Sequence, residues 1–95
     1  MINKLEFEGH VEKINFKNEQ VAKFTVCNTC KGREKRITAT VFNGYDTKKI
    51  YEQMESFIGK LVLVGAEMYE TKYVDKNTGD WVNTYCVYVK ELMER

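Results

Sequence analysis

Residues 37–81, ITATVFNGYDTKKIYEQMESFIGKLVLVGAEMYETKYVDKNTGDW, read as strand, short amphipathic helix, strand and hairpin. In Ile37–Phe42 the residues alternate: Ile37, Ala39 and Val41 on one side, Thr38, Thr40 and Phe42 with the preceding Arg36 on the other. That period of two marks a half-buried strand. Asn43-Gly44 ends it, and Asp46 or Thr47 is placed to cap a helix by accepting one of its unpaired N–H groups. Ile50, Tyr51, Met54, Phe57 and Ile58 recur at helical spacing, and Gly59 supplies a left-handed end. From Leu61, one row holds Val62, Val64, Ala66 and Met68 and the other Glu67, Tyr69, Thr71 and Tyr73, with Gly65 expected to allow a bend. Asp75 to Asp80 has the composition of a hairpin loop. Phe42, Tyr69 and Tyr73 thus fall on faces that ought to be polar.

Working outward, residues 2–16 alternate as well. Leu5, Phe7, Gly9 and Val11 share one side, and Glu6, Glu8, His10 and Glu12 the other. Gly9 in mid-strand predicts a bulge or bend. Lys17-Asn18-Glu19-Gln20 reads as a turn. In the next strand Ala22, Phe24 and Val26 point inward and Lys23 and Thr25 outward. Asn28 to Lys35 reads as a polar loop. Trp81 to Leu92 is a final strand whose two rows both mix apolar and polar residues, so its faces stay open. The order is β-β-β-α-β-β. Five strands with one helix between the third and fourth is the arrangement of the OB-fold, a Greek-key barrel. The expected fold class is all-β with one helix, a five-stranded OB-fold barrel forming a single domain over residues 1–95.

The 95 residues contain no proline, which suits long paired strands. No apolar run is long enough to span a bilayer, and MINKLEFEGH lacks a signal peptide's apolar stretch, so a cytoplasmic location is expected. The net charge of +1 is unevenly spread. Residues 1–30 balance four Lys against four Glu. Residues 31–50 hold six basic side chains (Lys31, Arg33, Lys35, Arg36, Lys48, Lys49) against two acidic, and residues 51–95 five basic against eight acidic. The basic middle is the part suited to phosphates.

Cations mixed with aromatics on a curved sheet suit single-stranded nucleic acid: phosphates meet Lys and Arg, and unpaired bases stack on rings. The candidate contacts are Lys23, Arg33, Lys35, Arg36, Thr38, Phe42, Tyr69, Lys72, Tyr73 and Trp81, with Thr25, Thr40 and Thr71 on the same rows. The acidic row Glu6, Glu8, Glu12 would repel a nucleic acid and should lie away from the groove or in a subunit contact. An OB-fold adaptor that uses the same rings as a dry protein interface is the alternative. Cys27-Asn28-Thr29-Cys30 has the spacing of a zinc or redox pair, but only Cys86 and His10 remain to complete four ligands. Reduced thiols at a strand end, and no cofactor or metal, are expected. No nucleophile–base–orienter set is present, so neither an enzyme nor a small-molecule substrate is expected.

VAKFTV, ITATVFNGYDTKKIYEQM and GKLVLVGAEMYETKYVDKNTGDW together resemble the bacterial and phage single-stranded DNA-binding proteins. The elements that carry the resemblance are Val41-Phe42-Asn43-Gly44 before the helix, Gly59-Lys60 opening the fourth strand, and Lys72-Tyr73-Val74-Asp75 entering the hairpin. Asn3-Lys4-Leu5 with Gly9 matches the first strand. No single motif is specific; their order and spacing are. The resemblance implies base stacking on Phe42 and Tyr73. RNA binding is a variant of the same reading, since stacking and phosphate contacts serve both nucleic acids. The resemblance also implies a homodimer or homotetramer, since family members often pair through the first strand. Where the family often has Trp at the start of the third strand, this chain has Arg36. It ends at Glu91-Leu92-Met93-Glu94-Arg95 without the family's acidic tail, so either a short phage, plasmid or mobile-element member or a trimmed chain is expected, and recruitment of other replication proteins through such a tail is unsupported.

Overall fold

A computed structural model of the chain describes residues 3–95; Ile2, at the start of the first alternating run, lies outside them. The strands are β1 (Leu5–Lys17), β2 (Val21–Cys30), β3 (Arg33–Phe42), β4 (Leu61–Val74) and β5 (Trp81–Glu94). Between β3 and β4 lie a short helix α1 (Lys48–Glu52) and a 3-10 turn (Met54–Phe57). The strands close into a barrel in the order β1-β2-β3-β5-β4, antiparallel except for the β3–β5 contact. This is the β-β-β-α-β-β order and the OB-fold barrel that the sequence predicts. No helix among the described residues is long and apolar enough to cross a membrane.

The inward rows supply the core. Val11, Ala22, Phe24, Val26, Ala39, Val41, Val62 and Val64 are wholly buried, joined by Ala66 and Val89. Leu5, Phe7, Ile14, Ile37, Val87 and Leu92 pack around them. Phe24 is the largest, and a buried side chain of this size contributes roughly 1.5–3 kcal/mol by leaving water. Met54 brings the helical segment into the same core.

Four local expectations change. Gly9 carries no bulge; β1 is irregular later, between Val11 and Lys13 and between Ile14 and Phe16. What Gly9 provides is close approach, because a Cβ there would come within 2.5 Å of the Cys27 carbonyl oxygen. The predicted loop from Asn28 to Lys35 is a paired hairpin. Asn28↔Lys35, Thr29↔Glu34 and Cys30↔Arg33 continue the ladder to a two-residue turn, Lys31-Gly32. Both turn residues have positive φ, 52° and 75°, as a type I′ turn requires to match strand twist. The helix is one turn of α followed by 3-10 rather than a continuous stripe, a tightening common at helix ends. Thr47 precedes it, but its hydroxyl donates to the Phe42 carbonyl (2.5 Å) instead of accepting a helix N–H. Gly59 does take the left-handed conformation (φ 83°), and its N–H donates to the Val11 carbonyl at 2.7 Å.

The faces of β5 also resolve. Tyr85, Val87 and Val89 share a row, opposite Glu70, Met68 and Ala66. The register then slips at Lys90, so the next inward residue is Leu92, opposite Val64. A bulge exchanges the two faces of a strand, which is why neither row of β5 reads as apolar throughout.

Candidate nucleic-acid interface

The outer face of β3 carries Arg36, Thr38, Thr40 and Phe42, as their spacing requires. On one side it meets β2, where Lys23 lies opposite Thr40 and Thr25 opposite Thr38. On the other it meets β5, where Tyr88 lies beside Thr40. Tyr88 is the residue that the sequence reading missed, because the faces of β5 were not assignable. It stands between two of the predicted rings: its centroid is 5.3 Å from Phe42 and 5.8 Å from Tyr69, with interplanar angles of 34° and 41°. Such tilted contacts are favourable ring geometry. A row Phe42–Tyr88–Tyr69 therefore crosses β3, β5 and β4 on the outside of the barrel. Tyr73, half-exposed, lies four residues beyond Tyr69 on the same row of β4. Tyr45, just past Phe42, is wholly exposed and is a further ring at this end that sequence patterning did not flag.

Polar groups set the electrostatics. The Tyr69 hydroxyl donates to the Glu67 carboxylate at 2.5 Å, and this bond to a carboxylate pushes the phenol's pKa up. Burial pushes the Tyr88 phenol up as well, reinforced by Cys86. Thr25 and Thr40, expected on the outside, are on that face but almost covered. Thr25 Oγ1 donates to Asn15 Oδ1 at 2.8 Å, since the irregular end of β1 folds over it.

Arg36 is held by two carboxylates. Its Nε lies 2.8 Å from Glu12 and an Nη lies 2.7 Å from Glu34. Both contacts, Glu12 first, hold its proton more firmly than usual. The acidic row of β1 is therefore not all remote from the outer face of β3: Glu12 reaches Arg36 there, and the Glu12–Arg36–Glu34 cluster carries one net negative charge. Glu8 pairs with Arg95 at 2.9 Å. Among the described residues Lys23, Arg33, Lys35 and Lys72 make no ion pair.

The predicted contacts do not share one face. Lys23, Arg36, Thr38 and Phe42 share the outer rows of β2 and β3, and Tyr69 and Tyr73 the outer row of β4. Arg33 and Lys35 alternate to the opposite face of the β2–β3 arm. Lys72, opposite Asn83, and Trp81, opposite Val74, lie on the reverse of the β4–β5 arm. Cys27 and Cys30 are three apart on β2, so they face opposite ways and do not converge on one ion. No group of three or more His, Cys, Asp and Glu suited to holding a metal ion is found among the described residues.

No protein-family model and no curated protein sequence matches the chain. Solved structures do. A crystal structure of the mitochondrial single-stranded DNA binding protein Rim1 from S. cerevisiae superposes with a TM-score of 0.71 at 19% identity, covering 99% of this chain and 96% of that one. The selenomethionine-labelled form of the same protein gives 0.68 at 18%, with the same coverage. At such identities the likeness is one of fold. The superposition spans nearly the whole of both chains: this five-stranded OB barrel shares its fold with the yeast mitochondrial single-stranded DNA binding protein.

Proposed function

We propose that this chain binds single-stranded DNA without reading its sequence and protects such strands during replication or recombination, acting as a binder rather than an enzyme. The observation that carries the reading is the ring row Phe42–Tyr88–Tyr69, extended by Tyr73, on the outer face of an OB barrel. Rings exposed along a sheet offer π-faces to any base, and each stacked base contributes ~1–3 kcal/mol. Lys23 beside the row has no carboxylate partner among the described ion pairs and supplies charge for phosphate. The match to a protein named for binding single-stranded DNA supports the same reading. A homodimer or homotetramer is part of the proposal, and sedimentation measures it directly.

The test is an anisotropy titration of a labelled oligo-dT at low salt. Binding should weaken steeply with added salt, with a log–log slope of about −0.7 for each phosphate neutralised. A flat titration at micromolar protein ends the proposal. Competition by oligo-U measures how far RNA shares the site, since stacking and phosphate contacts serve both polymers. A flat titration together with a nuclease-resistant protein partner would favour the adaptor reading instead.

A further inference from the structure

The β4–β5 arm has a second face. Opposite the row of Tyr69 and Tyr73 runs a strip in which Trp81 and Tyr85 stand on β5 with Asn83 between them. Lys72 of β4 is directly across from Asn83, and Glu70 directly across from Tyr85. Trp81 is 71% exposed and Tyr85 64%, among the most exposed large side chains on the molecule. Four residues of strand separate the two rings by ~13 Å, with the Lys72 and Asn83 pair midway.

We propose that this reverse face is a second contact strip for single-stranded nucleic acid, so that a bound strand folds around the arm. The inference rests on the single-strand-binding reading above and adds a separate place of contact. The order ring, cation with amide, ring matches a strand that alternates bases with phosphates. Trp81 and Tyr85 take bases, Lys72 takes the phosphate between them, and Asn83 offers an amide to sugar or base edges. Glu70 repels phosphate at the Tyr85 end and so limits the strip there. A protein partner fits less well. Interface centres are depleted of charge, whereas here Lys72 and Glu70 stand among the rings, and one face of a hairpin is small beside the ~800 Å² per partner of a stable interface.

Trp81 is the only tryptophan in the chain, so its emission reports from this strip alone. The experiment titrates the full chain with a long oligo-dT and with the shortest one that binds, reading oligo anisotropy and Trp81 emission together. The long oligomer should quench Trp81. Tyr85→Ala, at an exposed position outside the groove, should reduce the quench and the nucleotides occluded per chain by roughly a third or more, with short-oligomer affinity kept within about twofold. Binding by anisotropy with Trp81 emission unmoved overturns the strip and leaves the groove intact. Absence of any anisotropy change removes the single-strand reading and the strip with it. Emission that shifts with protein concentration in the absence of DNA assigns the face to a second copy and also overturns the proposal.

Discussion

Two arms leave this barrel, and they are built from different chemistry. The β2–β3 arm carries charge: Lys31, Arg33, Lys35 and Arg36 against Glu34, with Glu12 reaching in from β1. The β4–β5 arm carries rings: Tyr69, Tyr73, Trp81 and Tyr85. Two cations share the ring row's outer face here: Arg36 is occupied by carboxylates and Lys23 of β2 is not, while Arg33 and Lys35 face the other way. On the aromatic arm both faces offer rings to solvent. The difference teaches that charge counted along a sequence overstates the charge available at one face, whereas an exposed ring is available wherever it stands.

The comparison can be broken most severely at its root. Phe24 lies wholly buried beneath both arms, and Phe24→Ala should cost ~3–5 kcal/mol of stability by urea unfolding, abolishing binding to either arm. An effect below ~1 kcal/mol would mean the arms do not share one packed base. Next, Phe42→Ala and Tyr73→Ala should each weaken oligo-dT binding by ~1–3 kcal/mol with little change in salt slope, as lost stacking demands. If instead the slope drops and affinity at high salt is kept, the rings are not the anchors. A milder change sharpens the charged arm. Glu12→Gln removes the first partner of Arg36, and binding should tighten a few-fold while the salt slope steepens by about 0.7. Unchanged affinity and slope would show that Arg36 meets no phosphate. The smallest effect is expected at the turn. Lys31→Asn puts a residue tolerant of positive φ where Lys31 now sits at 52°, and should raise stability by under ~1 kcal/mol, read as a small rise in Tm with binding unaltered.

Much of this was legible before the structure. Wherever a strand packs one face on the core without interruption, alternation assigned its sides: Leu5, Phe7 and Val11 on β1, Ala22, Phe24 and Val26 on β2, Val62, Val64 and Ala66 on β4. It failed where a bulge exchanges faces. The slip at Lys90 hid Tyr88, the central ring of the row, and the irregularities after Val11 hid the cover over Thr25. The Lys31-Gly32 turn has no hairpin signature in sequence because lysine is not the usual residue for positive φ. Pairings across strands were not legible either: nothing in the one-dimensional pattern brings Glu12 to Arg36, twenty-four residues away.

The barrel closes between β3 and β5 on only two aligned residue pairs, Ala39↔Val87 and Thr40↔Tyr88. Every other seam is longer. The amides of this seam should therefore exchange with solvent sooner than their burial suggests, because little has to open to expose them. Phe42 and Tyr88 stand on opposite sides of it. A base laid across those rings would fasten the seam from outside, and its binding energy would appear as slowed exchange at Ala39, Thr40, Val87 and Tyr88 and as a higher melting temperature. In that sense the ligand would serve as the fastening that the short β3–β5 ladder lacks.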